Sequence, residues 1–261
     1  MNDLLALAVE LASEGAELAL RLRRAGLEVD TKSSPVDVVT NADRAVEAHI
    51  RARLAEVRPE DGFLGEESDA AGSVSGLTWV VDPIDGTVNF LYGIPEWACS
   101  VAVVEGGDPA SWTVHAGAVV NAAADERYAA ALGGGATRNG DPIRTGAPTG
   151  LATSLLATGF GYQAETRAEQ GRSVQVLLPR VRDIRRHGAA SLELCSVASG
   201  RLDAYAERGL SPWDFAAGAL IAAEAGAVVT AGDVREGRRL VTAAAPTIAA
   251  ELAAALVEAG L

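Results

Sequence analysis

The sequence predicts a layered α/β protein in which helices pack on β-sheets. Three observations support this class: apolar residues recur at helical spacing over residues 2–24, a sheet-rich pattern fills about 1–150, and strands alternate with helices over about 151–261. At 261 residues the chain is long enough for one large domain or two closely packed halves. Because no flexible linker separates the halves, we expect 1–261 to form a single unit.

Helix and strand signals in the first half have clear boundaries. Gly26 ends the first helix, and a second helix is expected from Thr40, a suitable N-cap, to about Val57. A Gly-Thr pair at 86–87 opens a short helix. Apolar runs bounded by turn residues predict strands at 63–64, 77–81, 100–104, 112–120 and 126–131.

The second half alternates regularly between the two kinds of element. Short β-rich runs predict strands at 155–158, 183–187, 202–207, 227–230 and 240–244. Helical patterns occupy 168–181, 191–199, 213–225 and 246–259, and Pro246 stands in the first turn of the last one, where a helix tolerates proline.

Composition excludes several classes of protein. The 35 acidic and 22 basic residues give a net charge of −13, which repels phosphate backbones, so no nucleic-acid partner is expected. Acidic residues interrupt the N-terminal apolar pattern, and no run of ~18 apolar residues is available for a membrane span, so no membrane partner is expected either. The two cysteines, Cys99 and Cys195, lie in apolar runs and form no disulfide framework. We expect them to be buried thiols in a cytoplasmic protein.

The stretch from Trp79 to Phe90 carries the most chemical information. A strand ends in Asp82, and Asp85 follows in the turn, so both carboxylates can point at one spot with the Ile84 carbonyl between them. Carboxylate and carbonyl oxygens suit a hard cation such as Mg²⁺. The N–H groups of Gly86 and Thr87 would then offer a seat for an anion. An Asp-Pro turn with an Asx cap is the structural alternative.

Three further acidic positions have structural alternatives as well. Glu66, in Gly65-Glu66-Glu67, stands at the end of a predicted strand. Asp214 begins a predicted helix, where an N-cap role would explain it, and Asp43 lies where it would compensate a helix dipole.

These segments together resemble one family. Asp-Pro-Ile-Asp-Gly-Thr-x-Asn-Phe at 82–90 and Trp-Asp-x-Ala-Ala-Gly at 213–218 are similar to motifs of the Mg²⁺-dependent inositol monophosphatases, part of a lithium-sensitive phosphatase superfamily. The resemblance runs from Lys32 through Ala227. It implies an αβαβα sandwich, two to three Mg²⁺ ions per site, a small phosphorylated polyol or sugar as substrate, and a homodimer.

The resemblance also implies residue roles. One metal would be held by Glu66, Asp82 and the Ile84 carbonyl, and a second by Asp82, Asp85 and Asp214, with a looser third near Glu66 and Asp43. Asp43, Glu66 and Thr87 would be catalytic, with Asp43 and the Thr87 hydroxyl orienting the attacking water. The implied substrate contacts are Glu66, Ile84, Asp85, Gly86, Thr87, Arg185, Gly188, Ala189, Ala190, Glu207 and Asp214.

The substrate is less sharply defined than the metal site. Pro35 is separated from Thr40 by Val-Asp-Val-Val, a spacing typical of inositol monophosphatases, and Glu207 is suited to ring hydroxyls. A broad sugar phosphatase acting on fructose 1,6-bisphosphate, or a histidinol phosphatase, is the alternative. A regulatory protein that keeps the fold without the chemistry is a second one.

Overall fold

The computed structural model describes residues 2–31 and 38–261. The segment 32–37, whose spacing favours inositol monophosphatases, lies outside the described residues. Seven helices are found within the described ranges: α1 Asn2–Ala25, α2 Asn41–Val57, α3 Thr87–Tyr92, α4 Ala164–Leu177, α5 Ala190–Ala198, α6 Pro212–Glu224 and α7 Ala249–Glu258.

The strands of the first half form a two-stranded sheet, β1–β2, and a seven-stranded sheet in the order β3-β4-β5-β6-β7-β8-β9. Their bounds are β1 Val29–Thr31, β2 Val38–Thr40, β3 Gly62–Gly65, β4 Leu77–Asp85, β5 Ala98–Glu105, β6 Thr113–Asn121, β7 Glu126–Ala131, β8 Ala136–Arg138 and β9 Asp141–Pro142.

The strands of the second half form a six-stranded sheet in the order β11-β10-β12-β15-β13, with β14 also paired to β15. Their bounds are β10 Leu155–Ala157, β11 Asp183–Arg185, β12 Ala204–Leu210, β13 Val228–Thr230, β14 Val234–Arg235 and β15 Arg238–Ala244. β10, β11 and β12 run parallel, so their carboxyl ends meet at one edge.

Three apolar clusters define the layers. Alternate residues of β4 face opposite sides: Trp79 packs with α1 and α2 on the outer side, and Val80 packs with α5 and α6 on the inner side. Tyr205 of the second sheet joins that inner cluster, while Ala204 and Ala206 face α7 on the far side. The predicted αβαβα sandwich is therefore confirmed. None of the helices in the described ranges is long and apolar enough to cross a membrane.

The two central helices approach each other closely at Gly218 of α6. A Cβ placed there would lie 2.9 Å from Leu194 Cβ and 3.1 Å from the Ser191 carbonyl oxygen, both in α5. A side chain at this position would force the helices apart. This contact sets the distance between α5 and α6.

Several element boundaries differ from the sequence prediction. β4 continues to Asp85 instead of stopping near residue 81, because β5 pairs with it that far. β12 continues past Glu207 to Leu210, because β15 pairs with the added residues. Pro246 precedes α7 instead of lying in it: the Ile248 N–H bonds the Ala245 carbonyl in a turn, and the helix begins at Ala249.

Candidate active site

Two of the acidic residues, Glu66 and Asp82, lie side by side at the seven-stranded sheet. β3 and β4 are parallel and their register pairs Gly65 with Val81. The residues that follow are thus neighbours: Glu66 comes directly after β3, and Asp82 lies within β4. Asp82 is buried, and Glu66 is half-buried.

A β-bulge in β4 places Asp85 close to Asp82. Asp82 pairs with Ser100 of β5 and Asp85 pairs with Ala98, so β4 has an extra residue between the two pairs. Ile84 lies within this bulge with its side chain fully buried, and its N–H donates to Asp82 Oδ1 at 3.1 Å. The bulge therefore carries two carboxylates and a carbonyl on one short stretch.

The start of α5 holds the Asp85 carboxylate. The N–H of Ala190 donates to Oδ1 at 3.2 Å, and the N–H and hydroxyl of Ser191 donate to Oδ2 at 2.7 and 2.5 Å. Burial raises the pKa of Asp85 to about 6, although these donors favour the ionised form and partly offset the shift.

Asp43 is held in the same way by the residues that begin α2. Thr40, the predicted N-cap, donates its N–H and its hydroxyl to Asp43 Oδ2 at 2.8 and 2.6 Å. The Thr87 hydroxyl lies 3.2 Å from Asp43 Oδ1 and 3.0 Å from the Ile84 carbonyl oxygen. Because a hydroxyl carries one proton, it donates to one of these acceptors at a time. Burial raises the pKa of Asp43.

Asp214 stands at the beginning of α6, as the sequence predicts, but it is not the N-cap. Ser211 is the N-cap, and its N–H donates to Asp214 Oδ2 at 2.7 Å. The Trp213 carbonyl lies 3.5 Å from the hydroxyl of Ser100 in β5, which connects the start of α6 to the first sheet.

The carboxylates act on one another electrostatically. Burial first, and then the negative charges of Glu66 and Asp85, raise the pKa of both Asp82 and Asp214 well above the ordinary value. Asp43 and Asp214 also raise the pKa of Asp82. All five predicted acidic residues therefore meet in one region.

The carboxylates are held mainly by backbone N–H groups. Within 2–31 and 38–261, no group of three or more His, Cys, Asp or Glu side chains is already arranged to hold a metal ion. The donor set nevertheless fits Mg²⁺, because every candidate ligand is oxygen and a divalent cation would offset the mutual repulsion. The residues that could hold it are Glu66, Asp82, Ile84, Asp85 and Asp214.

Gly86 brings the predicted phosphate contacts against the predicted sugar-side turn. A Cβ at Gly86 would lie 2.9 Å from the Glu96 carbonyl oxygen, 3.1 Å from Ala189 Cβ and 3.3 Å from the Gly188 carbonyl oxygen. Its φ of +89° also disfavours any other residue. Gly86, Gly188 and Ala189 therefore form one tight junction, beside the Ala190 N–H that bonds Asp85.

Glu207 lies half-buried within β12, just past the point where the neighbouring β10 ends. Burial raises its pKa to about 7, Asp85 and Glu193 add to the shift, and Arg186 opposes it. Arg186 also packs over Gly188. Arg186 is itself exposed, so it acts on Glu207 from the protein surface.

Arg185, the predicted sugar-side arginine, pairs within its own strand. Its Nη1 lies 2.6 Å from Asp183 and 2.9 Å from the Ile184 carbonyl oxygen. Its contact with a substrate stays a prediction.

Sequence reasoning missed several residues that hold the site. Cap chemistry identified Thr40, but nothing local marks residues that bond a partner far along the chain. Those missed are Gly159, Arg186, Ser191, Glu193 and Tyr205.

An αβαβα sandwich with buried carboxylates at its strand ends fits the class of metal-dependent phosphatases. The chain belongs to the inositol monophosphatase family, whose model matches residues 1–260. The protein is thus an enzyme of the phosphatase class.

Known relatives agree with this family. An inositol-1-monophosphatase of Mycobacterium leprae is 45% identical over 98% of this chain and 94% of its own length. The structure of Mycobacterium tuberculosis SuhB superposes with a TM-score of 0.84 at 44% identity, covering 99% of this chain and 97% of that one. An IMPase of Thermotoga maritima gives a TM-score of 0.85 at 29% identity, with 98% of each chain covered.

Proposed function

We propose that this protein hydrolyses inositol monophosphate to inositol and phosphate, using Mg²⁺ held by Glu66, Asp82, the Ile84 carbonyl, Asp85 and Asp214. The observation that carries the proposal is the meeting of buried carboxylates that raise one another's pKa beside the Gly86 junction. Such a cluster is costly unless cations offset it. Two to three ions would do so and would reverse the local charge for an anionic substrate.

Each of the other groups has a role in this reaction. When bound, Mg²⁺ supplies positive charge for the phosphate oxygens and makes water more acidic. The Thr87 hydroxyl, within reach of Asp43, orients the attacking water and passes a proton toward the Asp43 carboxylate. The backbone of Gly86 and Thr87 contacts the phosphate. Glu207 accepts hydrogen bonds from ring hydroxyls.

The first test is phosphate release from inositol, fructose, histidinol and nucleotide phosphates, with Mg²⁺ and with chelator. We expect inositol monophosphate to be the preferred substrate and chelator to abolish release. Equal rates across the panel would favour a broad sugar phosphatase. A preference for histidinol phosphate would favour a histidinol phosphatase.

A substitution tests the metal assignment. Asp82→Asn keeps the shape of the side chain but removes its charge, so turnover should fall at least a hundredfold, on the order of the loss of a charge-stabilising group. Circular dichroism should show the wild-type fold. Asp125→Asn, at a side chain that is 93% exposed, is the control and should keep full activity. Undiminished turnover by folded Asp82→Asn at saturating Mg²⁺ would rule out the proposed ligand set.

The assembly and location are part of the proposal. We expect a lithium-inhibited homodimer in the cytoplasm, which sedimentation and inhibition assays would test. Two buried, unpaired cysteines support a reducing compartment, and the central cluster of buried side chains, drawn from both halves of the chain, supports a single unit.

A regulatory function is the second candidate. A relative in Pseudomonas aeruginosa, 36% identical over 88% of this chain, is named Nus factor SuhB. A wild-type protein that releases no phosphate from any substrate in Mg²⁺ would favour this candidate.

A further inference from the structure

Tyr205 and Glu207 are two positions apart in β12, so their side chains lie on the same face of the sheet. Tyr205 is fully buried in the central cluster. Its hydroxyl donates to Glu207 Oε2 at 2.7 Å. Glu207 Oε1 takes no hydrogen bond from the residues that the structure describes. A buried, rigid donor thus fixes one oxygen of a half-buried carboxylate.

Gly159, two residues after the end of the neighbouring strand β10, leaves room for this carboxylate. β10 pairs in parallel with β12, and Ala157 is opposite Tyr205. Continued by two residues, this register places Gly159 opposite Glu207. A Cβ at Gly159 would overlap the Glu207 carboxylate. Any side chain at position 159 would therefore displace Glu207.

Tyr205 on the same strand and three charged residues on other segments act on the charge of Glu207. Tyr205 and Arg186 favour its ionised form, whereas Asp85 and Glu193 oppose it together with burial. Since the pKa of Glu207 is raised to about 7, loss of the Tyr205 donor would weaken the charge of the carboxylate near neutral pH.

We propose that Tyr205 and Gly159 are positioning residues that give this enzyme its selectivity for polyol phosphates. Tyr205 holds Oε2 of Glu207, and Gly159 leaves the space in which the carboxylate turns Oε1 toward vicinal hydroxyls of the substrate. The inference rests on the proposed function, because it assumes that Glu207 contacts the polyol.

Tyr205→Phe and Gly159→Ala test the inference through kcat/KM for inositol monophosphate and for 4-nitrophenyl phosphate, which has no ring hydroxyls. We expect roughly a tenfold loss for the polyol ester, the scale of one hydrogen bond to a charged group. The aryl ester should lose less than threefold. Equal losses on both esters in both variants would overturn the inference.

Two matched controls are available. Tyr128 is also buried and donates to a glutamate two residues away, Glu126, at 2.9 Å, so Tyr128→Phe repeats the chemical change outside the site. Gly171 lies in α4, and a Cβ there would meet no atom within 4 Å. Tyr128→Phe and Gly171→Ala should leave the ratio of the two kcat/KM values unchanged. A change of ratio as large in these controls would count against the inference.

A double variant separates positioning from a general structural effect. In a Glu207→Ala background, Tyr205→Phe should cause no further loss of selectivity, because its effect passes through Glu207. Additive losses would overturn the inference. If Glu207→Ala itself lowers kcat/KM equally for both esters, Glu207 does not contact the polyol, and this part of the proposed function is wrong.

A titration provides a readout that needs no substrate. Followed by carboxyl ¹³C NMR, and assigned by comparison with Glu207→Gln, Glu207 should titrate at higher pH in Tyr205→Phe and unchanged in Tyr128→Phe. An unchanged Glu207 titration in Tyr205→Phe would contradict the positioning role even if the protein hydrolysed no polyol phosphate.

Discussion

Asp43 and Asp214 each combine two functions that the sequence presents as alternatives. Each stands at the third position of a helix and accepts the N–H of the N-cap residue, Thr40 or Ser211, with Oδ2. The negative charge of each also raises the pKa of Asp82. A helix-capping explanation therefore does not argue against a role in the site.

At the residue scale, Glu207→Ala should lower kcat/KM for inositol monophosphate by roughly ten- to a hundredfold, because it removes the charged group that we propose accepts hydrogen bonds from ring hydroxyls. An aryl phosphate should lose much less, as steady-state kinetics at saturating Mg²⁺ would show. Glu126→Ala is the control, since its carboxylate also accepts a tyrosine hydroxyl but outside the site. Equal losses on both substrates would mean that Glu207 supports the fold or the metal site.

Residues close in sequence could be predicted as partners, and residues far apart could not. The residues of the 82–87 stretch could be predicted to lie together, because they are close in sequence and a bulge and a short helix bring their side chains to one place. Ser191 bonds Asp85 across 106 positions, and no pattern in either segment indicates that contact. The effect of Arg186 on Glu207, 21 positions away, is likewise absent from any local pattern.

At the scale of elements, the turn from β4 into α3 depends on Gly86. Gly86→Ala should destabilise the protein and lower activity, because it combines an unfavourable φ with close contacts to Glu96 and Ala189. Gly140 has nearly the same φ, +88°, with no atom within 4 Å of an added Cβ. The decrease in Tm and the decrease in the rate of phosphate release should both be clearly larger for Gly86→Ala than for Gly140→Ala. Equal losses would mean that backbone strain alone explains the effect.

Element type was easier to predict than element ends. The prediction matches β7 at both ends, because its apolar run is bounded by turns on each side. α4 begins four residues before its predicted start at 168, and a 3-10 turn at Leu178–Arg180 replaces its predicted last turn. The α4 pattern is weakly amphipathic, so tertiary packing decides where it begins and ends.

At the scale of the whole molecule, the proposed metal site should make the stability of the fold depend on divalent cations. A ligand that binds only the folded state stabilises it by about 2.7 kcal/mol at a hundredfold excess over Kd. Mg²⁺ should therefore raise Tm more than Na⁺ at equal ionic strength, as calorimetry would show. Identical melting curves in Mg²⁺ and in chelator would contradict a preformed site.

The same charges predict a pH dependence. In the folded protein the pKa of Asp85 is about 6, above its ordinary 3.8, and that of Glu207 is about 7, above its ordinary 4.5. Between those values the folded state binds more protons than the unfolded state, so stability falls as pH rises. In chelator, we expect Tm to fall between pH 4 and pH 7 on account of these groups, and Mg²⁺ to flatten the decline. Glu207→Gln should remove part of it.

The contact between α5 and α6 at Gly218 has a consequence for the reaction centre. α5 supplies the donors that hold Asp85, and α6 supplies Asp214, so each helix positions one carboxylate of the same acidic cluster. The helices can approach this closely only because residue 218 lacks a Cβ. The spacing of two carboxylates of the candidate site thus depends on a buried residue that has no functional group of its own.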